Sequence, residues 1–379
     1  MKSIVTDFTA ILSAANLNGN PDTAGKPVFV TYSFDDVPDT ALDAPSAGDF
    51  LASFSALTPQ ERRAASAALA QWDDASGVTF LQVASGEGDI RFGNYDFAHP
   101  PGRAGSAGFG YFPAITIAQQ GSVDVPSGSD IFLNQDVKDY AADDMQHVMA
   151  HEIGHALGLK HSFDGSVVLD PSLDTASETV MSYTGYDPDL GPLDREAAAF
   201  LYGPGSSDGQ QDARWRWNPG TETLSQSGRH GADTMRGVST RDLMRGGPGD
   251  DILFGEAGDD LIAGGAGDDT LTGGSGADRF VFNRTPASGG VDRITDFVAG
   301  EDRVVLAAAA FPDLPGGPLS PADFAVGDGA ASDRATIVYD ARTGSLSYDA
   351  DGTGSAVEAQ RFAQLRPGLA LSAGDIRIF

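Results

Sequence analysis

The sequence contains no cysteine, which excludes disulfides, thiolate zinc sites and cysteine nucleophiles. Histidines and carboxylates are therefore the strong metal ligands that remain. Basic residues are also scarce: 24 lysines and arginines stand against 54 aspartates and glutamates, for a formal net charge of -30. This balance argues against nucleic acid and anionic lipid as partners and favours cations.

Long apolar runs are absent too. No stretch has the length of a membrane span, so we expect no membrane insertion. The opening residues, MKSIVTDFTAILSAANL, hold one lysine and an apolar run interrupted by Asp7, which matches a secretory signal poorly. We therefore expect export, where it occurs, to use another route.

The first half of the chain mixes helix and strand patterns, which indicates an α+β domain over residues 26–205. PVFVTYSF at 27–34 predicts a strand, as do VTFLQV, DIRFGNY and DIFLN further on. Residues 58–77 predict a helix with Thr58 as N-cap, Pro59 at the first helical position and Glu61 closing a capping box. Residues 206–227 are irregular, and we assign them to a junction between domains.

A nine-residue repeat follows. Six successive units read GRHGADTMR, GVSTRDLMR, GGPGDDILF, GEAGDDLIA, GGAGDDTLT and GGSGADRFV. All six have aspartate at the sixth place and an apolar residue at the eighth: Asp233, Asp242, Asp251, Asp260, Asp269 and Asp278, then Met235, Met244, Leu253, Ile262, Leu271 and Phe280. Stacked units of a glycine-rich turn and a short strand form a parallel β-roll with one apolar row inside.

Aspartates that repeat at every turn of such a roll repel one another, and calcium, which takes six to eight oxygen ligands, removes that cost. Folding and calcium binding are therefore expected to be coupled. Unit two lacks glycine at its second and fourth places, and unit four has Glu256 where glycine is usual. Residues assigned to calcium are Arg229, Gly231, Asp233, Asp242, Gly247, Gly249, Asp251, Glu256, Gly258, Asp260, Gly265, Gly267, Asp269, Gly274, Gly276 and Asp278.

A second motif, HEIGHALGLKH, occupies residues 151–161. On a helix, His151 and His155 share one face and can bind one ion. His161 would lie about 15 Å from His151 along an unbroken helix, so Gly158 must end the helix and turn the chain back. Three neutral imidazoles leave zinc an open position for water, which is a catalytic arrangement, and Glu152 is placed to take a proton from that water.

Together with Met181, Ser182 and Tyr183 in TVMSYTGY, the motif resembles the metzincin metalloproteases, and within them the serralysin family of secreted bacterial zinc proteases with a C-terminal RTX calcium roll. FVFN at 280, DRITDF at 292 and GSLSYDADGTG at 344 resemble the region after that roll. The fold implied is an α+β metzincin catalytic domain followed by an all-β parallel β-roll (RTX) domain.

The resemblance also implies roles. His151, His155 and His161 bind one catalytic zinc, Glu152 is the general base, and Met181 forms the floor of the Met-turn. Tyr183 is a zinc ligand in the resting enzyme and stabilises the oxyanion during turnover. Where many relatives have proline after the third histidine, Ser162 stands here. The implied reaction is endoproteolysis of an extended substrate along an edge strand, either DIFLN at 130–134 or GFGYFP at 108–113.

Domain bounds and partners complete the expectation. Residues 1–25 correspond to a short prosegment or to a plain terminus, 228–282 to the roll, and 283–379 to a C-terminal β region with an uncleaved secretion signal. We expect a secreted, extracellular monomer that meets protein or peptide substrates and a type I secretion apparatus, but no nucleic acid. The sequence leaves open whether a proteinaceous inhibitor exists. GSLSYDADGTG allows a calcium loop but favours a β-turn.

Two rival functions differ in what they predict. A calcium-binding adhesin or scaffold with a vestigial metal site would show losses among the zinc ligands, Glu152 or Tyr183, and none is lost. A zinc hydrolase that acts on something other than protein is disfavoured because the Met-turn and the tyrosine are both retained. Digestion of casein separates this last alternative from a protease.

Overall fold

The computed structural model describes residues 2–13, 25–38, 52–97, 108–110, 130–205, 213–327, 329–330, 333–354 and 358–379. The chain divides into two compact units, Met1–Gln211 and Asp212–Phe379. This division falls inside the junction expected at 206–227, and the finer domain bounds stay predictions. Among the described residues, no helix combines the length and the apolar character needed to cross a membrane.

The first unit is built on a five-stranded sheet. The described strands of the first unit are β1 Ser3–Val5, β2 Val28–Phe34, β3 Val78–Gln82, β4 Ile90–Tyr95, β5 Gly108–Gly110, β6 Ile131–Asn134 and β7 Val167–Leu169. Its helices are α1 Pro59–Ala75, α2 Ala142–Ala156 and α3 Pro192–Tyr202. The sheet order is β3-β2-β4-β6-β5, with β5 alone running antiparallel to its neighbour. The separate strands β1 and β7 pair with each other in parallel.

Helix α1 begins as the sequence predicts. The Thr58 hydroxyl accepts a hydrogen bond from the Glu61 backbone N–H at 3.3 Å, and the Glu61 carboxylate accepts one from the Thr58 N–H at 2.6 Å. The indole of Trp72, which is fully buried, donates to the Ala150 carbonyl of α2 at 3.1 Å. Helix α1 thus fixes the position of α2, which carries the histidines.

The N-terminal segment 2–13 belongs to the core of the first unit. Ala10, Ile11 and Leu12 are completely buried. The Lys160 backbone N–H donates to the Ile11 carbonyl at 2.8 Å, directly before the third histidine of the motif. The segment therefore packs against the loop that carries this histidine. The prosegment hypothesis for residues 1–25 stays a prediction, and residues 14–24 lie outside the described residues.

The second unit contains two eight-stranded sheets. One has the order β10-β12-β14-β16-β22-β21-β20-β19 and the other β18-β23-β17-β15-β13-β11-β9-β8. The strands are β8 Ala213–Asn218, β9 Thr223–Gly228, β10 Thr234–Arg236, β11 Asp242–Pro248, β12 Ile252–Phe254, β13 Leu261–Ala266, β14 Thr270–Thr272, β15 Arg279–Phe282, β16 Asp292–Ile294, β17 Arg303–Leu306, β18 Gly317–Pro318, β19 Phe324–Val326, β20 Thr336–Asp340, β21 Ser345–Asp349, β22 Gln360–Gln364 and β23 Ile376–Ile378, with a short helix α4 Pro286–Gly289.

Successive repeat units alternate between these two sheets and pair in parallel with the unit two places on. Met235 thus lies opposite Leu253, and Met244 opposite Ile262. All six predicted apolar residues are completely buried, as the repeat requires. The predicted parallel β-roll is confirmed. In GSLSYDADGTG, strand β21 is followed by a turn in which the Gly354 N–H donates to the Asp351 carbonyl at 3.1 Å, the bond of a β-turn.

Candidate metal centres

Helix α2 carries the first two histidines and ends where the motif requires. Its last residue is Ala156, and Gly158 then adopts a φ of 92°, a left-handed conformation that suits glycine. An isolated bridge pairs Leu159 with Leu12. The chain turns back after the helix, and His161 comes to face His151 and His155.

The three imidazoles form one cluster. One ring nitrogen from each of His151, His155 and His161 lies within 4.8 Å of the other two. Within the described part of the chain, no other group of three histidine, aspartate or glutamate side chains meets this criterion. The Nε2 atoms of His155 and His161 are 3.1 Å apart. Tetrahedral zinc, with Zn–N bonds of about 2.0–2.1 Å, holds its ligand nitrogens roughly 3.3 Å apart, so the spacing fits that ion.

The other ring nitrogens fix the tautomers. His151 Nδ1 lies 2.6 Å from the Val180 carbonyl, His155 Nδ1 lies 2.9 Å from the Leu159 carbonyl, and His161 Nδ1 lies 2.7 Å from the Asp164 carboxylate. Each partner atom is an acceptor, so each Nδ1 carries the hydrogen and each Nε2 presents a lone pair to the centre of the cluster. These residues fit a zinc ion.

Burial keeps the first two rings neutral. Desolvation, followed by the neighbouring imidazole of His155, lowers the pKa of His151 well below its usual value. Desolvation also lowers the pKa of His155 to about 4. Because a metal ligand must be unprotonated, both rings are ready to bind at neutral pH without the loss of a proton.

The predicted Met-turn lies directly under α2. Met181 is completely buried, and a side chain at Gly154 would bring a Cβ within 2.7 Å of its sulfur. Glycine in the middle of the HEIGH stretch therefore lets the methionine approach the helix between the two histidines. The Ser162 N–H, which a proline would lack, lies 3.3 Å from the Met181 carbonyl and donates to it.

Tyr183 and Glu152 stand at the same centre. The Tyr183 hydroxyl is 2.8 Å from His161 Nε2, although the side chain as a whole is exposed. The ring of Phe163 stacks on His161 with centroids 5.1 Å apart and contacts Tyr183 edge-on. Glu152 is buried beside His151. The sequence did not single out Phe163.

The sheet order distinguishes between the two candidate substrate-binding strands, DIFLN at 130–134 and GFGYFP at 108–113. Strand β6, which contains most of DIFLN, is an interior strand between β4 and β5, whereas β5 forms the antiparallel edge. Of the two candidates, Gly108–Gly110 is therefore the one at the edge of the sheet, as far as the described strands extend. Residues 111–113 of GFGYFP lie outside the described residues.

Sequence reasoning missed three residues that orient the cluster. Asp164 and Val180 accept the hydrogens on His161 and His151, as described above. Asp194, at the start of α3, accepts hydrogen bonds from the Thr179 hydroxyl at 2.6 Å and from the Val180 N–H at 2.8 Å. Burial raises the pKa of Asp194 to about 7, partly offset by these hydrogen bonds. Val180 and Asp194 carry no local sequence signal, because their partners lie far along the chain. Asp164 lies only three residues after His161, so its spacing from the motif was the signal available for it.

In the roll, the six predicted aspartates are all buried and form two ladders. The Asp233 N–H donates to Asp251 Oδ1 at 2.8 Å, and the Asp251 N–H donates to Asp269 Oδ1 at 2.8 Å. The ladder of the other sheet joins Asp242, Asp260 and Asp278 in the same way. The second carboxylate oxygen has no hydrogen-bond partner within the described part of the chain in Asp251, Asp260, Asp269 and Asp278.

The assigned glycines bring backbone carbonyls to the same turns. A Cβ on Gly249 would lie 2.1 Å from the Gly231 carbonyl oxygen, and one on Gly267 would lie 2.1 Å from that of Gly249. Both have positive φ, as does Glu256 at 78°, the exception to glycine in unit four. The Glu256 carboxylate pairs with Arg236. Buried carboxylate oxygens beside stacked carbonyls fit calcium, a hard cation with oxygen ligands.

The ladders continue beyond the six units. The Asp269 N–H donates to Asp292 Oδ1 at 3.3 Å, and the Asp278 N–H donates to Asp302 Oδ1 at 3.0 Å. Desolvation, and then the nearby Asp269, raise the pKa of Asp292 to about 8. The sequence analysis missed Asp292 and Asp302 because the nine-residue spacing is lost after Asp278, although each retains an apolar residue two places later.

A histidine cluster above a Met-turn, joined to a parallel roll with aspartate ladders, defines a metzincin-type metallopeptidase domain followed by a calcium roll. Comparison with known proteins agrees: the Matrixin peptidase family model matches residues 52–189, and the RTX calcium-binding nonapeptide repeat matches residues 227–262 and 245–280. These two matches support a serralysin-type metallopeptidase domain followed by RTX repeats. These matches confirm the predicted fold class and the two predicted metals, zinc and calcium.

Similar proteins include metallopeptidase AprA of Pseudomonas marginalis, 32% identical over 30% of this chain and 23% of that protein. A serralysin of Photorhabdus laumondii is 30% identical over 36% of this chain and 29% of that protein. Among solved structures, the AlgE6R3 subunit of a mannuronan C5-epimerase from Azotobacter vinelandii matches 39% of this chain and 79% of that one at 30% identity, but with a TM-score of 0.26. The chain spans less than a third of the length of the two peptidases that it matches.

Proposed function

We propose that the protein is a zinc-dependent endopeptidase that hydrolyses peptide bonds in proteins. The observation that carries the proposal is the convergence of three Nε2 atoms whose Nδ1 partners are all hydrogen-bond acceptors. Histidine tautomers fixed in this way leave three lone pairs directed at one point, with Glu152 next in sequence to the first ligand. Neither an adhesin nor a scaffold requires that arrangement.

The chemistry divides among named residues. Zinc held by His151, His155 and His161 would lower the pKa of a bound water and polarise the scissile carbonyl. The Glu152 carboxylate takes a proton from the attacking water and then gives it to the nitrogen of the leaving amine. The Tyr183 hydroxyl donates a hydrogen bond to the carbonyl oxygen as negative charge develops there. Met181 supports the histidines from below.

The substrate is proposed to lie extended along β5. Among the described strands, β5 lies at the edge of the sheet and runs antiparallel to β6, so an extended peptide could pair with its outer side. An extended peptide added there gains main-chain hydrogen bonds that do not depend on its side chains. Proteins with flexible segments are the expected substrate class.

Calcium binding by the roll is proposed to couple folding to location. The aspartate ladders bury carboxylates that a calcium-poor cytoplasm leaves uncompensated, so the roll would be unfolded there and would fold outside the cell. The proposed route is a type I secretion apparatus, and the proposed site of action is extracellular. The calcium residues assigned from the sequence, together with Asp292 and Asp302, are proposed as the ligands.

The test is digestion of casein by the full chain in millimolar calcium. We expect cleavage products that disappear on addition of a zinc-selective chelator and return when zinc is restored. A Glu196→Gln variant, altered at an exposed glutamate of α3, is the matched control for Glu152→Gln and should cleave normally. Casein left intact by the zinc- and calcium-loaded wild type contradicts the proposal.

A further inference from the structure

One face of the second unit is rich in arginine, against the strongly acidic composition of the chain. On the sheet that contains β8, β9, β11, β13, β15, β17 and β23, the inward side chains include Met244, Phe280 and Ile376, which form the core. Side chains alternate along a strand, so their immediate neighbours point outward. Six of those outward residues are arginines: Arg214, Arg216, Arg245, Arg279, Arg303 and Arg377. We call them the arginine face.

The strand registers place these arginines on one continuous surface. Arg214 and Arg245 both lie opposite Ser227, on its two sides. Arg279 lies directly opposite Arg303 on the neighbouring strand. Adjacent strands are about 4.8 Å apart, so the seven strands span about 29 Å. The arginines therefore form two clusters towards the two ends of this face. Arg214, Arg216 and Arg245 lie on β8 and β11, and Arg279, Arg303 and Arg377 lie on β15, β17 and β23.

The charges of this face are largely uncompensated. The outward positions of the seven strands hold no aspartate or glutamate, although acidic residues outnumber basic ones 54 to 24 in the chain. Within the described part of the chain, Arg303 alone of the six makes an ion pair, with Asp375 at 3.6 Å. Arg279 and Arg303, opposite each other, repel one another. An anionic partner would remove this repulsion.

The remaining outward residues narrow the class of partner. Leu243 and Leu261 are half-buried, lie opposite each other on β11 and β13, and form a short apolar strip next to Arg279. Within the seven described strands, no outward position holds a large exposed hydrophobic side chain; Phe379, which is 62% exposed, follows directly after β23. A seven-stranded face is also too wide for the major groove of DNA, which admits one helix or a two-stranded ribbon.

We propose that the arginine face binds a linear anionic polysaccharide. Guanidinium groups form paired hydrogen bonds with carboxylate or sulfate groups, and the apolar strip accommodates the less polar faces of sugar rings. Such binding would hold the protein near an acidic extracellular polymer. The proposal does not depend on the peptidase activity, because none of the six arginines belongs to the zinc cluster or to the aspartate ladders.

The test measures binding of dextran sulfate to the full chain in millimolar calcium at low ionic strength, with neutral dextran as the blank. The double variant Arg245→Gln/Arg279→Gln removes one arginine from each cluster. The matched control, Arg293→Gln/Arg361→Gln, removes two exposed arginines from the opposite sheet. We expect the first pair to weaken binding at least about tenfold and the control pair to leave it within about twofold.

Several results would overturn the proposal. The proposal is wrong if the wild type does not bind dextran sulfate, or if both double variants weaken binding equally. Equal or tighter binding to duplex DNA or to phosphatidylserine vesicles would assign the face to another class of partner. Casein hydrolysis, measured on the same samples, should be unchanged in both variants, so the outcome is separate from that of the proposed peptidase activity.

Discussion

The carboxylate of Asp194 accepts a hydrogen bond from the backbone N–H of Val180 at 2.8 Å. The carbonyl of the same residue lies 2.6 Å from His151 Nδ1. One peptide segment therefore connects a buried carboxylate at the start of α3 with the first histidine of the cluster. Partners that orient a metal-bound histidine commonly change metal affinity when they are lost.

We predict that Asp194→Asn weakens zinc binding by about 10- to 100-fold. The amide offers one acceptor oxygen in place of two, so the donors from Thr179, Val180 and Gly191 cannot all be satisfied. Competition with a fluorescent zinc chelator measures the affinity. Asp36→Asn, at an exposed aspartate, is the control, and equal affinity in both variants would remove Asp194 from the support of the site.

Asp194 also predicts a pH effect. Its folded pKa of about 7 lies above the ordinary 3.8, so its contribution to stability is complete below pH 3.8 and is lost as the pH rises through about 7. The melting temperature of the first unit should therefore fall between about pH 4 and about pH 7 in the wild type and level off above that. Asp194→Asn should lack this fall.

The calcium roll should respond to pH in the same direction, but only without calcium. Desolvation and neighbouring aspartates raise the pKa of Asp260 to about 9, and desolvation raises that of Asp269 and Asp278 to about 6. The calcium-free roll is thus most stable in acid and loses stability as the pH rises from about 4 to about 9. Far-UV circular dichroism should show ordered strands near pH 5, their loss near pH 9, and their return when calcium is added. Strand content that is independent of both pH and calcium would contradict the assignment of these carboxylates.

Tyr183→Phe is predicted to lower kcat by about 100-fold with little change in KM. The hydroxyl, 2.8 Å from His161 Nε2, acts on charge that develops during the reaction, not on substrate binding. Tyr186→Phe is the matched control, since Tyr186 is similarly exposed and its ring contacts His147. Steady-state kinetics on a fluorogenic peptide separates the two parameters. A change confined to KM would make Tyr183 a binding residue.

We predict that the buried part of the N-terminal segment, Ala10 to Leu12, remains in the active protein. Ile11 is fully buried and Ile4 is 61% exposed, so the same substitution can be made at both. Ile11→Ser should destabilise the first unit by about 2–4 kcal/mol, and Ile4→Ser by well under 1 kcal/mol. Thermal unfolding measures the difference. An active protein that begins after residue 13 would contradict this structural role.

Much of the fold followed from short-range signals. The capping box at Thr58 and Glu61 is local, and the roll repeats one local rule, so both could be predicted from the sequence. Gly158 was identifiable because an unbroken helix would carry His161 out of reach. Asp194 and the edge position of β5 could not be found in this way, because each depends on contacts between segments distant in sequence. Asp164 is different, since it lies only three residues after His161.

The net charge of the whole chain does not show how charged residues are distributed over the surface. A value of -30 argued against anionic partners, yet the strand registers place six arginines on a single face of one sheet. Composition carries no information about which residues share a surface. The information about which residues share a surface comes from the strand registers, and these join strands that are distant in sequence.

The most direct test of the central claim compares the wild type with Glu152→Gln, both loaded with calcium and zinc, for zinc content and for cleavage of one defined peptide. We predict one zinc per chain in the cluster of both proteins and cleavage by the wild type alone, because the substitution removes the proton acceptor and spares the three histidines. Equal cleavage by both proteins, or a zinc-loaded wild type that cleaves no peptide bond, would contradict the account.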